Sequence, residues 1–296
     1  MSLEPDRHAI IHDLGYRPYD GPRLGAGYIA WSLYKLGTRH CFGLGRSGRS
    51  KVLPFGLLAM MLLPTLILVG VVVTLEMNQQ VVPYTRYPVI TQLVISVFVA
   101  AQAPVLFSRD IRYQTLALYF ARPLGRTTFV LVRYASLATG VLILVAAPLL
   151  VLYLGGLLAD LPFRRETGDV AIALLGALLL AALLAAFGAV ISAVTTRRGL
   201  AVAAIIVALV LSFTVVSAVR GIAFEVDAEA VGVAAGVFSP YTLVDGVLAW
   251  AFETPPTGPI APTSALEGTG YLVVAALAVF GATALLMWRY RRLAGG

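Results

Sequence analysis

The chain alternates between long runs of apolar residues and short polar segments that carry nearly all of its charge. Six runs contain no Asp, Glu, Lys or Arg: Val52–Leu75, Pro88–Phe107, Tyr134–Ala159, Val170–Thr196, Gly199–Val219 and Gly268–Trp288. Each reaches the roughly 20 residues that an α-helix needs to cross the hydrocarbon core of a bilayer. Because lipid offers no hydrogen-bond partners, each backbone N–H and C=O in such a run must be bonded within its own segment, which requires a helix. The pattern therefore predicts an all-α polytopic membrane protein with six transmembrane helices.

The pattern also divides the chain into regions. Residues 1–51 form an N-terminal segment, 52–288 the transmembrane domain and 289–296 a short tail. We place the spans at about 52–75, 88–107, 130–156, 170–195, 199–219 and 268–288.

An insertion at residues 220–267 separates the last two spans. Within it, Ala230–Val244 is uncharged but too short to span a bilayer, and Pro240 interrupts it. Two interpretations fit this arrangement about equally. One is a re-entrant or interfacial helical hairpin, and the other is a plain folded outer loop.

Before the first span, Gly27–His40 has the periodicity of an amphipathic helix. Its polar and apolar faces are opposed, with aromatic residues at the edge: Ser32, Lys35 and Arg39 against Ile29, Leu33 and Leu36, beside Tyr28 and Trp31. A short helix of this kind lies in the headgroup layer of a membrane. The alternative is a small soluble helix that packs on a partner.

The composition, with 59% hydrophobic and 12% charged residues, excludes an ordinary soluble domain. Six spans use almost all of the 296 residues, which leaves no room for a separate soluble catalytic domain.

Of the 22 Lys and Arg residues, 18 lie in segments on one side of the predicted spans. The other side has only Arg86, Arg164, Arg165 and Arg220. The positive-inside rule therefore places both termini in the cytoplasm, and the net charge of +7 reflects topology rather than nucleic-acid binding.

Few residues suit catalysis or metal binding. His8 and His12 are four residues apart but lack a nearby third ligand, and the remaining histidine is His40, so we predict no metal site. Cys41 is the only cysteine, which excludes an intrachain disulfide. Gly43–Lys51 lacks the spacing of a phosphate loop and is interpreted as a basic linker to anionic headgroups. We predict no catalytic residue, so any energy source must lie on another chain.

Polar side chains are sparse within the predicted spans. In the second span, Gln92 and Ser96 share one helix face, and Gln102 is turned away by about 120°. These side chains either bond neighbouring helices or line a pathway for a substrate.

The connection after the second span is the most distinctive polar segment. Residues 109–121 have the pattern of a short helix that ends before Pro123, with charges in its first turn. Apolar and aromatic side chains follow: Leu116, Leu118, Tyr119 and Phe120. Such a helix offers an apolar, arginine-edged surface to a partner, whereas a solvated loop would not need this density of aromatic residues.

Three parts of this connection, Arg109–Arg112, Thr115-Leu116 and Ala121–Arg126, resemble the segment between the second and third spans of ABC-2 permeases. These permeases are the membrane subunits of ATP-binding-cassette exporters. The turn Ala189–Gly199 is also similar to the fourth-to-fifth turn of that family, and the layout agrees over nearly the whole chain. One departure is that only Asp110 is acidic at the start of the connection. The resemblance implies a type V exporter fold with an interfacial helix and a coupling helix.

The resemblance also implies partners and a mechanism. Two such units, either two copies or a copy and a paralogue, would pair in a bacterial cytoplasmic membrane, and each would dock a cytoplasmic ATPase subunit. ATP and Mg would bind to that subunit, with no cofactor in this chain. The contact with the ATPase would involve Arg109, Asp110, Arg112, Gln114, Thr115, Leu116, Leu118, Tyr119 and Arg122, with Arg197 and Arg198 in a second turn.

The leading hypothesis is thus a permease that exports an unidentified substrate such as a lipid, drug or peptide. The alternative is a membrane anchor or assembly subunit that recruits an ATPase without transporting a substrate. An intramembrane enzyme ranks last, because the intramembrane polar residues are few and uncharged.

Overall fold

In the computed structural model, residues 21, 24–113, 115, 119, 124–195 and 197–293 are described. Within these ranges the regular elements are helices: α1 (Ala26–Cys41), α2 (Arg49–Thr74), α3 (Tyr87–Ile90), α4 (Gln92–Leu106), α5 (Ser108–Arg112), α6 (Arg126–Leu158), α7 (Phe163–Val194), α8 (Arg198–Ile206), α9 (Ser212–Glu225), α10 (Glu229–Gly236), α11 (Pro240–Phe252) and α12 (Ala265–Leu293). A 3₁₀ turn at Tyr84–Arg86 precedes α3, and a π-helical turn at Val207–Leu211 joins α8 to α9.

Within the described ranges, six helical runs are long and apolar enough to cross a membrane. They are Arg49–Thr74, Gln92–Arg112, Arg126–Leu158, Phe163–Val194, Arg198–Glu225 and Ala265–Arg292. Each overlaps one predicted span. The chain is therefore an all-α protein whose helices suit a multi-pass membrane protein, as the sequence predicted.

The helix boundaries differ from those of the uncharged runs. Helix α6 begins at Arg126 and α7 at Phe163, several residues before the predicted spans, and α12 continues to Leu293 through most of the predicted tail. Charged residues extend these helices because long side chains can reach water beyond the lipid. The second predicted span is instead interrupted at Thr91, between α3 and α4.

The centre of the bundle is formed by α4, α6 and α7. In their most apolar windows 78%, 44% and 56% of the residues are buried, compared with 17–22% in the other three spans. Small residues allow close packing, since a Cβ atom on Gly188 of α7 would lie 2.8 Å from Cγ1 of Val99. The outer helices expose large apolar side chains, including Ile67 and Phe280, which are stable next to lipid or another apolar surface.

Helix α1 packs against α6 at the start of the bundle. Its buried residues are Leu33, Gly37 and Cys41, which follow one another at intervals of four. The Tyr34 hydroxyl bonds Thr139 Oγ1 of α6 at 2.9 Å. A helix at these residues is confirmed, and its placement in the headgroup layer stays a prediction.

The insertion between the last two spans is a pair of helices, α10 and α11, that meet at a bend of 115°. Pro240 occupies the first turn of α11, so it starts a helix that runs through to Phe252. Tyr271 of α12 holds the pair by donating a hydrogen bond to the carbonyl of Val233 at 2.6 Å. Two helices thus occupy the region for which a helical hairpin was one interpretation, and its re-entrant or interfacial placement stays a prediction.

Candidate functional site

Arginines gather at one end of the bundle, which we call the basic end. It contains the α1–α2 linker, the α4–α6 connection and the α7–α8 turn, because Arg46, Arg109 and Arg198 line a single cavity there. The opposite end contains the 3₁₀ turn and the loop after α11, which are joined by a 2.8 Å hydrogen bond from Arg86 to the carbonyl of Pro256.

The connection at the basic end begins with a break in the second helical run. Phe107 separates α4 from α5, and α5 supplies about the first turn of the helix predicted at 109–121. After α5, the backbone N–H of Thr115 donates a hydrogen bond to the carbonyl of Asp110 at 3.1 Å. Gln114, Leu116, Leu118 and Arg122 of the predicted contact lie outside the described residues.

A buried ion pair joins this connection to the third span. Nη2 of Arg133 on α6 lies 2.7 Å from Oδ2 of Asp110, and the two side chains are only 4% and 6% exposed. The same guanidinium also donates to the hydroxyl of Tyr119 at 3.3 Å. Removing one partner would leave an uncompensated buried charge, so the ion pair fixes α5 against α6.

Aromatic rings surround this ion pair. The Arg133 guanidinium lies over Tyr119 and Phe129, 5.7 Å and 5.4 Å from the ring centroids. These two rings contact each other, and Phe129 also contacts Tyr290 of α12 at a centroid distance of 5.9 Å. The rings exclude water from the charged pair, and cation–π attraction contributes to holding the guanidinium in place.

The connection is also bonded to the fourth and sixth spans. Ser108 Oγ donates to the carbonyl of Ser192 in α7 at 2.6 Å. Tyr290 donates a long hydrogen bond of 3.5 Å to the carbonyl of Phe107. Nearby, Arg289 Nε donates to the carbonyl of Ala193 at 2.6 Å, which satisfies the end of α7. Three spans therefore hold the start of the connection.

The predicted contact residues separate into an inner and an outer group. Asp110 is buried, while Thr115 and Tyr119 are half-buried. Arg109 and Arg112 are exposed, as are Arg197 and Arg198 of the second predicted turn. Of these four arginines, three line a cavity of about 180 Å³: Arg109, Arg112 and Arg198. The connection after the second span and the turn with Arg197 and Arg198 thus meet at the basic end. Their role in binding an ATPase stays a prediction.

Sequence reasoning missed the inner group as a unit. Arg133 was counted among the 18 cations on one side, Ser192 was included only within the turn Ala189–Gly199, and Phe129 and Tyr290 were not considered. One signal was available: Asp110 is the single acidic residue of an arginine-rich connection. The sequence does not say which arginine pairs with it, because that depends on how α5 packs.

His40, in the last turn of α1, reports the positive field at this end. Burial and the nearby Arg133, Arg109, Arg46 and Arg39 lower the pKa of its imidazole from 6.5 to about 4. The imidazole therefore stays neutral in the folded protein under conditions where an ordinary histidine would begin to bind a proton.

Acidification is expected to destabilise the fold through His40. The unfolded chain binds this proton near pH 6.5 and the folded protein only near pH 4. The stabilising contribution is thus complete above pH 6.5 and lost as the pH falls to 4. Because His40 is partly exposed, we expect a loss of about 2 kcal/mol. The check compares unfolding free energies of the natural protein and His40→Gln at neutral and acidic pH; equal losses in both would contradict this assignment.

The predicted pathway residues lie in α4. Ser96 is fully buried, and its hydroxyl bonds that of Tyr241 in α11 at 2.8 Å. Gln102 is also buried, and Gln92 is half-buried. Ser96 therefore joins α4 to the insertion, as a hydrogen bond between helices would. Within the described residues Oε1 of Gln92 has no hydrogen-bond partner, so Gln92 retains an unused acceptor. A pathway role for the three stays a prediction.

A second polar group lies at the opposite end, and sequence reasoning missed it. Glu166 of α7 is 3% exposed and accepts hydrogen bonds from the Tyr84 hydroxyl and from Gln80 Nε2, the latter at 3.0 Å. Burial and the bond to Glu166 raise the pKa of Tyr84 well above its usual value. This group borders a cavity of about 250 Å³ that Asp169 and Glu253 also line.

A buried arginine and a buried aspartate lie within the insertion. Arg220 of α9 is 4% exposed and donates to the carbonyl of Ile260. Asp245 of α11 accepts from the backbone N–H of Thr257 at 3.0 Å and from its hydroxyl at 2.8 Å. Both charges line one cavity of about 220 Å³. These bonds hold the loop after α11 against α9.

Metal binding has no support in the part of the chain that the structure describes. No group of three or more His, Cys, Asp or Glu side chains there could hold an ion. His8 and His12, which we judged insufficient for a site, lie outside the described residues. Cys41 is a buried free thiol whose Sγ lies 3.8 Å from the carbonyl of Ser136.

Comparison with known proteins does not assign the chain to a family. No protein-family model matches the sequence, and a search of curated proteins finds no similar sequence.

Proposed function

We propose that this chain is the permease subunit of an ATP-driven exporter of the ABC-2 class. The supporting observation is the buried Asp110–Arg133 ion pair, which makes the connection after the second span part of the helix bundle. A connection held in this way can pass movement from a cytoplasmic partner to the spans. An unattached surface loop could not do so.

The transmission follows from the contacts. A partner that moves the exposed residues Arg109 and Arg112 moves α5 as a body. Separating Asp110 from Arg133 would leave two charges unpaired in a water-excluded site, which costs about 3–5 kcal/mol. It is therefore easier for α6 to follow α5 than for the pair to break. The bonds to α7 and α12 extend the same movement to the fourth and sixth spans.

The energy source in this proposal is a separate cytoplasmic ATPase that binds ATP and Mg. Its docking surface is the exposed part of the basic end, with α1 lying along the inner membrane face. Both termini would be cytoplasmic, in a bacterial cytoplasmic membrane. The apolar surfaces of the outer helices suit lipid and a second copy or a paralogue. The pathway between two such units would carry a hydrophobic or amphipathic cargo such as a lipid, drug or peptide.

Charge reversal at the basic end is the direct test. The tagged chain is purified from its native membranes in mild detergent, and ATP-binding subunits that accompany it are labelled with a photoreactive ATP analogue. We expect Arg109→Glu with Arg112→Glu to lower the co-purified ATPase activity by about tenfold or more, since reversed charges oppose the partner surface. The control, Arg164→Glu with Arg165→Glu, makes the same charge change at the opposite end and should leave the activity unchanged.

Two results would contradict the proposal. One is ATP hydrolysis by the chain when no ATP-binding subunit accompanies it. The other is equal activity in the charge-reversed protein, the control and the natural protein. The alternative function, a membrane anchor, predicts the same association. It differs in that no cargo would stimulate ATP hydrolysis or enter inverted vesicles in an ATP-dependent manner.

A further inference from the structure

Four arginines from three separate segments line the same cavity at the basic end, which we call the arginine cavity. Arg46 comes from the α1–α2 linker, Arg109 and Arg112 from α5, and Arg198 from the start of α8. The cavity has a volume of about 180 Å³, and its other lining residues include Pro104 and Val105 at the end of α4. The fold thus brings together cations that are far apart in the sequence.

No carboxylate among the described residues neutralises this cluster. The ion pairs in that part of the chain are Arg133–Asp110 and the exposed Arg165–Asp169. Asp110 is adjacent to Arg109 in sequence, but its carboxylate turns inward to Arg133 and Thr115. The four guanidinium groups therefore repel one another with no carboxylate partner in the described part of the chain.

The mutual repulsion within the cluster acts on Arg46. Burial, followed by the charges of Arg109 and Arg198, lowers the pKa of its guanidinium. The same field reaches His40, whose pKa is lowered first by burial and by Arg133, and further by Arg109 and Arg46. A cluster that is unfavourable when empty becomes favourable once an anion enters it.

The chemistry and surroundings of the cavity indicate which anion fits. Guanidinium groups are planar forks that bind phosphate oxygens in pairs, and several of them can contact one phosphate group. Apolar side chains next to the turn, Val194 and Leu200, are 56% and 58% exposed on helices that suit a membrane. A molecule with a phosphate beside an apolar tail would satisfy both surfaces.

We propose that the arginine cavity binds the phosphate group of an anionic phospholipid. The bound headgroup neutralises the cluster and joins the α1–α2 linker, α5 and α8 across one site. This inference concerns the isolated subunit and does not depend on an ATPase. A free phosphate ion offers the same chemistry without the tail, so the experiment includes it as a separate arm.

The experiment uses the full chain purified in detergent and stripped of lipid. Thermal stability and native mass spectrometry are recorded with phosphatidylglycerol, with phosphatidylcholine and with inorganic phosphate. We expect added phosphatidylglycerol to bind and to stabilise the protein, and added phosphatidylcholine to do so much less. We expect Arg46→Gln to weaken phosphatidylglycerol binding by about fivefold, since one arginine at an anionic surface contributes about that factor.

Arg46 is the chosen position because it lies outside the predicted ATPase contact. Arg49→Gln is the matched control, since Arg49 is exposed, lies three residues further along the same basic segment and does not line the cavity. Arg46→Lys keeps the charge but loses the fork, and should retain only part of the binding. In lipid-free detergent, Arg46→Gln should be as stable as the natural protein or more so, because it removes repulsion.

The outcomes divide clearly. If Arg46→Gln loses more phosphatidylglycerol binding than Arg49→Gln, the result supports the site. Equal losses of binding overturn it in favour of diffuse attraction to an anionic surface. Stabilisation by inorganic phosphate equal to that by phosphatidylglycerol supports the arginine cavity as a phosphate site and assigns its ligand to free phosphate. If the natural protein binds neither phosphatidylglycerol nor inorganic phosphate, the proposal is overturned. Undiminished phosphatidylglycerol binding in Arg46→Gln likewise overturns the proposal.

Discussion

Replacing Arg133 with Met is expected to lower the free energy of unfolding by about 3–5 kcal/mol, because it leaves the carboxylate of Asp110 buried and unpaired. Both side chains are at most 6% exposed, so water cannot take the place of the missing guanidinium. The substitution also removes the cation that lies over the rings of Tyr119 and Phe129. The measurement is denaturant unfolding in detergent, with hydrogen exchange at residues 107–113 as a local readout of the connection.

Two comparisons separate the ion pair from general damage to the fold. Asp110→Asn combined with Arg133→Met removes both charges, and we expect it to recover most of the loss. Arg165→Met breaks the exposed pair with Asp169, whose side chains are 64% and 52% exposed, and should cost less than about 1 kcal/mol. If the single and double variants at the buried pair were equally unstable, the loss would come from packing rather than from the unpaired charge.

The second large effect is expected at the opposite end. Glu166→Leu should lower the free energy of unfolding by about 2–4 kcal/mol, because it leaves buried donors without an acceptor. The Tyr84 hydroxyl and Gln80 Nε2 both donate to the same oxygen of Glu166. Gln80 also donates to the carbonyl of Leu152 at 3.3 Å, so the loop before α3 should loosen from α6 as well as from α7. Denaturant unfolding and protease cleavage within 76–86 would measure the two effects.

Variants of neighbouring side chains give the controls for this prediction. Glu166→Gln keeps an acceptor of the same size and should recover more than half of the loss. Asp169→Leu removes an exposed carboxylate from the same helix, one turn away, and should change stability by less than about 1 kcal/mol. A large loss in Asp169→Leu would show that apolar substitution in this part of α7 is harmful in itself.

The predictions from sequence were strongest where one physical requirement acts along the chain. Backbone groups in lipid must be satisfied within their own helix, so the uncharged runs located the six long helices, and turn chemistry at Pro240 located the bend in the insertion. Boundaries were less accurate. The absence of charge is a criterion for contact with lipid and not for helix formation, so α7 begins at Phe163, before Arg164, Arg165 and Glu166.

At the candidate site, too, the sequence predicted some features and missed others. The sequence marked the connection after the second span and the turn at Arg197 and Arg198 as unusual, and the structure brings Arg198 to Arg109 and Arg112. The sequence did not distinguish the buried Asp110 from the exposed arginines beside it. Nor did it indicate that Arg46, classed with a basic linker, lies at the same cavity.

The sequence alone determined the class of this protein, the number of its long helices and the concentration of positive charge on one side. These properties depend on composition and on spacing within single segments. Only the tertiary structure decided which charges are paired and which are left facing a cavity. Asp110 has Arg109 and Arg112 within two residues, yet it bonds Arg133, because helix packing rather than distance along the chain sets the partners of a buried charge.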